Sequence, residues 1–320
     1  GSGDRADARE FYRLAARMDA GYSEAGVRKR SWLKGGSMVR RQGIAQASRN
    51  VRTPAGFLQH IELVRRDATR RLDAGSRSEL GQFLTPASVA RFMAGMFTKR
   101  PSTIRLLDAG AGIGSLTAAY VEAACNWPGR PREIHVTAFE IDPVLVEYLR
   151  DTLEACRLLC EGRGIRFQAH VSQEDFISAG VAALQETLFR RAATPVTAAI
   201  LNPPYRKIHS ASSARLQLRS IGIETSNLYT AFLLIAARLL EDGGEMVAIT
   251  PRSFCNGPYF RPFRQEFLAQ MAPRRLHVFE TRTHAFEEDD ILQENVITYA
   301  VKSGEKGPVE ISSSTEPSDD

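Results

Sequence analysis

From about residue 104 the chain alternates short apolar runs with longer stretches of helical spacing. The strand-like runs are IRLLDAG (104–110), IHVTAFEI (134–141), IRFQAHV (165–171), VTAAILN (196–202), EMVAITP (245–251), RRLHVFE (274–280) and ENVITYAVK (294–302). Between them, apolar positions recur every three or four residues over 115–124, 143–160, 227–240 and 260–270, which predicts amphipathic helices. Another helix is expected to start within PASVARFMAGMF, at 86–97. Strands that alternate with helices imply a mostly parallel sheet covered on both faces, an α/β architecture. The last two runs are expected to pair as a hairpin, because the segment between them is too short and acidic for a crossover helix.

Before this alternation lies a different texture. Helical spacing over about 5–32 (Phe11, Leu14, Ala15, Met18) and 55–78 (Phe57, Ile61, Leu63, Val64) predicts a helical N-terminal segment over 1–80. After residue 302 the sequence SGEKGPVEISSSTEPSDD turns polar and reads as a tail or linker, which leaves 81–302 as the main domain.

At 320 residues and 43% hydrophobic content the chain is long enough for one large α/β domain plus an appendage. No run approaches the eighteen apolar residues of a membrane span, and GSGDRADARE lacks the apolar core of a signal peptide, so a soluble, cytoplasmic protein without a membrane partner is expected. Cys156 and Cys160 stand at helical spacing, but Cys125 and Cys255 form no second pair that would complete a zinc site. No metal is expected. The net charge of +5 is uneven: residues 1–80 hold 17 Lys and Arg against 9 Asp and Glu, and residues 81–320 hold 25 against 28. The densest part, RKRSWLKGGSMVRRQGIAQASRNVR (28–52), suits phosphate backbones, and a solvated arginine-rich surface is the plainer alternative.

Candidate chemistry gathers at the ends of the predicted strands. DAGAGIG, from Asp108 to Gly114, sits where the first strand meets a helix, and its glycines (Gly110, Gly112, Gly114) let backbone approach a ligand. The spacing is GxGxG, which departs from the dinucleotide pattern GxGxxG. The next strand ends AFEIDP, which places Glu140 where a carboxylate can accept both hydroxyls of a ribose, with Ile141 beside it. Asp142 before Pro143 reads as a helix N-cap. SQEDF then sets Asp175 where it can accept from an adenine amino group and Phe176 where it can cover the ring. Finally, LNPPY (201–205) ends a buried strand on an amide, followed by two prolines that fix φ and remove two donors. That corner is rigid and polar.

GQFLTP, LLDAGAGIG, AFEIDP, EDF and LNPPY, in that order, resemble the S-adenosylmethionine-dependent, amino-methylating DNA methyltransferases, specifically the gamma group of adenine-N6 enzymes of restriction-modification systems. The likeness covers about 80–302 and includes SNLYTAFLLIAARLLEDGGEMVAITPRSFCNG and LQENVI. It implies a Rossmann-like, seven-stranded mixed sheet of the class I methyltransferase kind, with S-adenosylmethionine as cofactor and DNA as partner. It also implies that Thr85 and Pro86 line the methionine end of the cofactor and that Asp108 lies near its amino group, although Thr85 is equally placed to cap the helix at Ala87. Asn202 and the main-chain carbonyl of Pro203 would accept the amino protons of adenine, with Pro204 stiffening the corner. Tyr205 and Phe286 would stack on an extruded base, Phe279 being the other aromatic to consider for the second position. Enzymes of the group usually carry a target-recognition domain after the catalytic one; residues 303–320 do not read as one, so recognition is expected from the N-terminal segment, a missing domain or a separate subunit. Two alternatives stay open: an amino methyltransferase acting on RNA adenine or protein glutamine, and a non-catalytic DNA-binding subunit with the same fold.

Overall fold

In the computed structural model, residues 54–72, 84–189, 195–279 and 294–314 are described. Two helices lead in, α1 (Pro54–Arg71) and α2 (Ala87–Gly95). Strands and helices then alternate: β1 (Thr103–Ala109), α3 (Ser115–Cys125), β2 (Glu133–Phe139), α4 (Pro143–Glu161), β3 (Arg166–Ser172), α5 (Phe176–Phe189) and β4 (Val196–Leu201). Next come α6 (Ser213–Ser220), α7 (Leu228–Leu239), β5 (Leu240–Pro251), a single 3-10 turn (Arg252–Cys255), α8 (Arg261–Gln270), β6 (Met271–Phe279), β7 (Asn295–Lys302) and β8 (Glu310–Ser314).

The sheet order is β3-β2-β1-β4-β5-β7-β6-β8. The first five strands pair in parallel, and β7 runs antiparallel between β5 and β6. The expected β6–β7 hairpin is therefore present. Central strands are buried on both faces, which is why they read as continuous apolar runs. In β4, Ala198 and Ile200 pack under α1 to α4, while Ala199 and Leu201 pack under α5, α7 and α8. Helix α4 starts as its sequence predicts: Asp142 accepts from the amides of Val144 (2.8 Å) and Leu145 (3.3 Å), with Pro143 in the first turn.

Three elements differ from the expectation. The sheet has eight strands where seven were expected, because residues 310–314 add β8 parallel to β6 within the segment expected to be tail. Its serine-rich sequence carries no strand signal; Glu310 pairs with Arg275 (2.9 Å), and the hydroxyls of Ser312 and Ser314 meet the two ring nitrogens of His277. Helices α5 and α6 were also not anticipated. Residues 1–53, including the basic arm and the 5–32 helix, lie outside the described residues. The later helix does form, as α1, and buries Phe57, Leu58, Ile61 and Val64 in the main core. No helix among the described residues is long and apolar enough to cross a membrane.

Candidate functional site

The C-terminal ends of the parallel strands converge on one cavity of about 240 Å³, lined by Gly110, Gly112, Glu140, Ile141, Asp175 and Phe176 among others, with Asn202 and Pro204 also in its lining. It is the location that an open parallel sheet offers a ligand. At the end of β1, Gly110, Gly112 and Gly114 all have positive φ, at 75°, 57° and 86°. A Cβ on Gly112 would meet Leu84 at 3.0 Å, and one on Gly114 would meet Leu149 at 2.8 Å, so the loop needs glycine for space as well as for conformation.

Glu140 closes this loop from β2. Its Oε2 accepts from the Gly112 amide (2.8 Å) and its Oε1 from the Asp142 amide (2.9 Å), so both oxygens are held by the backbone and each keeps a lone pair. Burial raises its pKa, outweighing the backbone donors that pull it down. Asp108, wholly buried beneath the loop, accepts from the Thr117 hydroxyl at 2.6 Å through Oδ2, and Oδ1 has no partner. Burial pushes its carboxyl up to about 7, Thr117 offsets part of that and the nearby charge of Glu140 adds to it. An orphaned buried carboxylate oxygen is a site waiting for a donor or cation.

Asp175 lines the cavity while capping α5: its Oδ2 accepts from the Ser178 amide and hydroxyl, both at 3.0 Å. Phe176 packs edge-on against Phe139 (5.1 Å between centroids) and tilted against Phe232 (4.9 Å), all three being part of the cavity wall. The cavity thus combines an aromatic wall with the carboxylates of Glu140, Glu174 and Asp175, while the wholly buried Asp108 is not among its lining residues. Carboxylate acceptors beside aromatic rings suit a nucleoside.

The LNPPY corner stands next to it. The Asn202 Nδ2 donates to the Thr85 hydroxyl at 3.0 Å, and the Tyr205 hydroxyl donates to the Asn202 Oδ1 at 3.0 Å, with the Ile249 carbonyl as its second acceptor at 3.3 Å. Burial raises the pKa of Tyr205, so its hydroxyl is a donor at any ordinary pH. The Tyr205 ring meets Tyr229 edge-on at 6.3 Å.

Several expected site residues take places other than those foreseen. Thr85 does not cap α2: no side chain of α2's own N-terminus does so, and the Ala87 amide is instead taken by Glu62 of α1 at 3.1 Å. Thr85 is buried against Asn202, with Pro86 next to it at the start of α2. Phe279, at the end of β6, is core, as its place in the apolar run LHVF implies. Phe286 and Gly81 to Phe83 lie outside the described residues. Sequence reasoning missed Glu62, Arg206 and Tyr229. Glu62 sits three and four residues before two arginines, which looks like ordinary helix-surface pairing, and nothing in that spacing announces a tertiary bond.

Comparison with known proteins adds independent observations. Residues 196–286 match the family model described as Eco57I restriction-modification methylase. The chain is 41% identical over 242 residues to the Type II methyltransferase M.PstI of Providencia stuartii and 44% identical over 246 residues to the Type II methyltransferase M.BsuBI of Bacillus subtilis. Each alignment takes in 76% of this chain but 47% and 48% of those proteins, so the chain spans about half the length of the curated relatives it matches. In fold it is similar to a Listeria monocytogenes protein described as a class I S-adenosylmethionine-dependent methyltransferase (TM-score 0.61, 12% identity, 83% of this chain and 75% of that one). A modification subunit ascribed to a type I restriction enzyme of Vibrio vulnificus is similar as well (TM-score 0.63, 16% identity, 83% of this chain and 53% of that one). The fold is that of the class I methyltransferases, and the resemblance drawn from the motifs is borne out.

Proposed function

We propose that this chain is the cofactor-binding and catalytic half of a restriction-modification DNA methyltransferase, and that it methylates N6 of adenine. The observation that carries the reading is the juxtaposition of the Asn202–Tyr205 corner with a cavity whose donors suit a nucleoside cofactor. S-Adenosylmethionine fits that cavity by residue type. Glu140 would take the ribose hydroxyls, Asp175 the adenine amino group, Phe176 the ring face, and the orphaned Oδ1 of Asp108 the ammonium group. When bound, the cofactor supplies an electrophilic methyl group on a positively charged sulfur.

The chain's own part is to prepare the nucleophile. Adenine N6 is weak because its lone pair is delocalised into the ring. The side-chain oxygen of Asn202 and the carbonyl of Pro203 would accept its two protons, drawing the lone pair out of conjugation and aiming it. Asn202 Oδ1 already accepts from Tyr205, and an amide oxygen has two lone pairs with which to accept. Proline at 203 provides a carbonyl without a competing donor on a stiff backbone. No strong base is required, since the proton becomes acidic as the new bond forms.

The base would leave the duplex to arrive there, turning by ~180°, and Tyr205 would be the aromatic that stacks on it. Beside the corner, the Leu228 amide donates to the Arg206 carbonyl and the Ile208 amide to that of Ser226, both at 2.8 Å. That pairing sets Arg206 and Lys207 next to Ser226, whose hydroxyl bonds that of Tyr259. Arg206, Lys207, Tyr259 and Arg261 are all exposed, and the three cations form no ion pair among the described residues. Such a ledge suits the backbone of the strand from which the base is drawn.

The test is methyl transfer from labelled S-adenosylmethionine to unmethylated genomic DNA, with the nucleosides identified by mass spectrometry. N6-methyladenine is the expected product. No methylated base, in a sample that binds the cofactor, would overturn the activity for this chain.

A further inference from the structure

The geometry points to Thr85 and Glu62 as positioning residues for the Asn202 amide, which makes α1 of the N-terminal segment part of the catalytic apparatus. This inference rests on the proposed methyl transfer, and it assigns Thr85 a role beyond contact with a cofactor.

Asn202 follows the last residue of β4, and its backbone alone does not decide which way the side-chain amide faces. Turned by half a revolution, the amide would present two donors to an amino group that already carries donors, and catalysis would stop. The two hydroxyls at its ends therefore matter. Thr85 Oγ1 stands 3.0 Å from Nδ2 and accepts, and the Tyr205 hydroxyl stands 3.0 Å from Oδ1 and donates. Each hydroxyl can donate or accept, so what Thr85 contributes is the position of the amide, which the two bonds hold at both ends.

Thr85 is buried and is held from the other side. Glu62 accepts from the Ala87 amide, two residues further on, at 3.1 Å. Its carboxylate is fixed in turn by the fork of Arg65, at 3.0 Å from Nε and 2.7 Å from Nη2, with Arg66 adding a third bond at 3.1 Å. Arg65 is itself buried against the core. Pro86 between Thr85 and Ala87 fixes φ, so a shift at Ala87 is passed on to Thr85. The path from α1 to the reacting amide thus contains two side-chain hydrogen bonds and one stiff dipeptide.

The experiment compares wild type with T85V, T85S, E62A and E62Q. At saturating cofactor, T85V is expected to lower kcat about ten- to hundredfold, the scale on which a misplaced reacting group costs rate. Cofactor affinity should change little, because Thr85, expected from the sequence to line the cofactor's methionine end, is not among the residues that line the cavity. T85S should recover most of the rate, since it restores the acceptor without restoring the methyl group. E62A should lower kcat in the same direction and E62Q should recover part of it. The second readout is the NMR signal of the Asn202 side-chain NH2, identified by its loss in N202A: its protons should exchange faster in T85V and as in wild type in T85S.

A T85V enzyme as fast as wild type overturns the proposal. So does a T85S enzyme as slow as T85V, which would mean that packing and not the hydrogen bond is at stake. If wild type itself transfers no methyl group, the reading under "Proposed function" fails, and the NH2 exchange decides by itself whether Thr85 holds the amide.

Discussion

At the scale of single residues, the chemistry rests on groups whose surroundings differ from water in definite ways. Asn202→Ala is expected to abolish methyl transfer while leaving cofactor affinity within about twofold, because the contacts proposed for the cofactor fall to Asp108, Glu140, Asp175 and Phe176 and not to the Asn202 amide; detectable turnover would sink the mechanism. Asp108 makes a sharper prediction, one of pH. Its carboxyl is raised from 3.8 to about 7, so in the free protein it still holds its proton through mildly acidic conditions. A cationic ligand group beside Oδ1 favours the ionised form, so binding must expel that proton wherever the free carboxyl is protonated. Affinity for S-adenosylmethionine should therefore fall as pH drops below about 7, by up to roughly tenfold per unit, and titration calorimetry in buffers of different ionisation heat should detect the released proton. Asp108→Asn should flatten the dependence; a steep profile in that variant would assign the proton elsewhere. The same shift acts on folding with the opposite sign. The folded carboxyl binds its proton more tightly than the unfolded one, so this stabilisation is full below 3.8 and is lost as pH climbs to about 7. Residues of this kind were legible because they follow strand ends in a fixed order: Asp108, Glu140, Asp175 and Asn202 each close a parallel strand or its loop. Glu62 was not legible, since its one informative bond spans 25 residues and depends on how α1 docks.

At the scale of elements, what a periodic pattern can predict is an element with one apolar stripe or two buried faces. Strands β1 to β7 are of that kind and lie within a few residues of their expected bounds, with β5 extending five residues earlier than anticipated. Strand β8 has neither property, and it exists because β6 offers it a free edge and His277 offers its serines two ring nitrogens. Helix α6 is short and mostly solvated, with Leu218 its sole buried residue, so it offers too few apolar positions to stand out. The turn after β5 shows a further kind of hidden dependence. Arg264 of α8 is buried, and its guanidinium donates to the carbonyls of Phe254 (2.8 Å), Asn256 (3.0 Å) and Gly257 (2.6 Å). Removing it strands carbonyls that have left water, at about 1–3 kcal/mol for each that stays buried. Arg264→Leu should lower unfolding free energy by more than about 2 kcal/mol in denaturant titration and loosen the Tyr259 loop to proteolysis. An unchanged midpoint would show that water replaces the guanidinium there.

At the scale of the whole molecule, the question is how a chain whose site is acidic can hold a polyanion. The two carboxylates proposed to hold the cofactor's ammonium group and ribose, Asp108 and Glu140, are both buried and lie below the surface. Exposed positive charge sits on the ledge of Arg206, Lys207 and Arg261, and the sequence of residues 1–80 adds 17 Lys and Arg against 9 Asp and Glu. Residues 28–52, the densest part, lie outside the described residues, so sequence alone speaks for them. The two groups of charge predict separable effects. Each phosphate deprived of its neutralising cation should reduce the slope of log affinity against log salt by about 0.9 on duplex DNA. Replacing Arg206 and Lys207 by alanine should thus flatten the slope by roughly 1.8 and lower methyl transfer, because these cations adjoin the corner proposed to receive the base. Deleting residues 1–53 should flatten the slope as well, but α1 and its Glu62 remain, so turnover at saturating DNA should hold. A deletion that instead lowers turnover at saturation while leaving the slope unchanged would mean that the arm supports the fold around α1 and does not touch DNA. Fluorescence anisotropy on one duplex across a salt series, with single-turnover rates on the same samples, distinguishes the two.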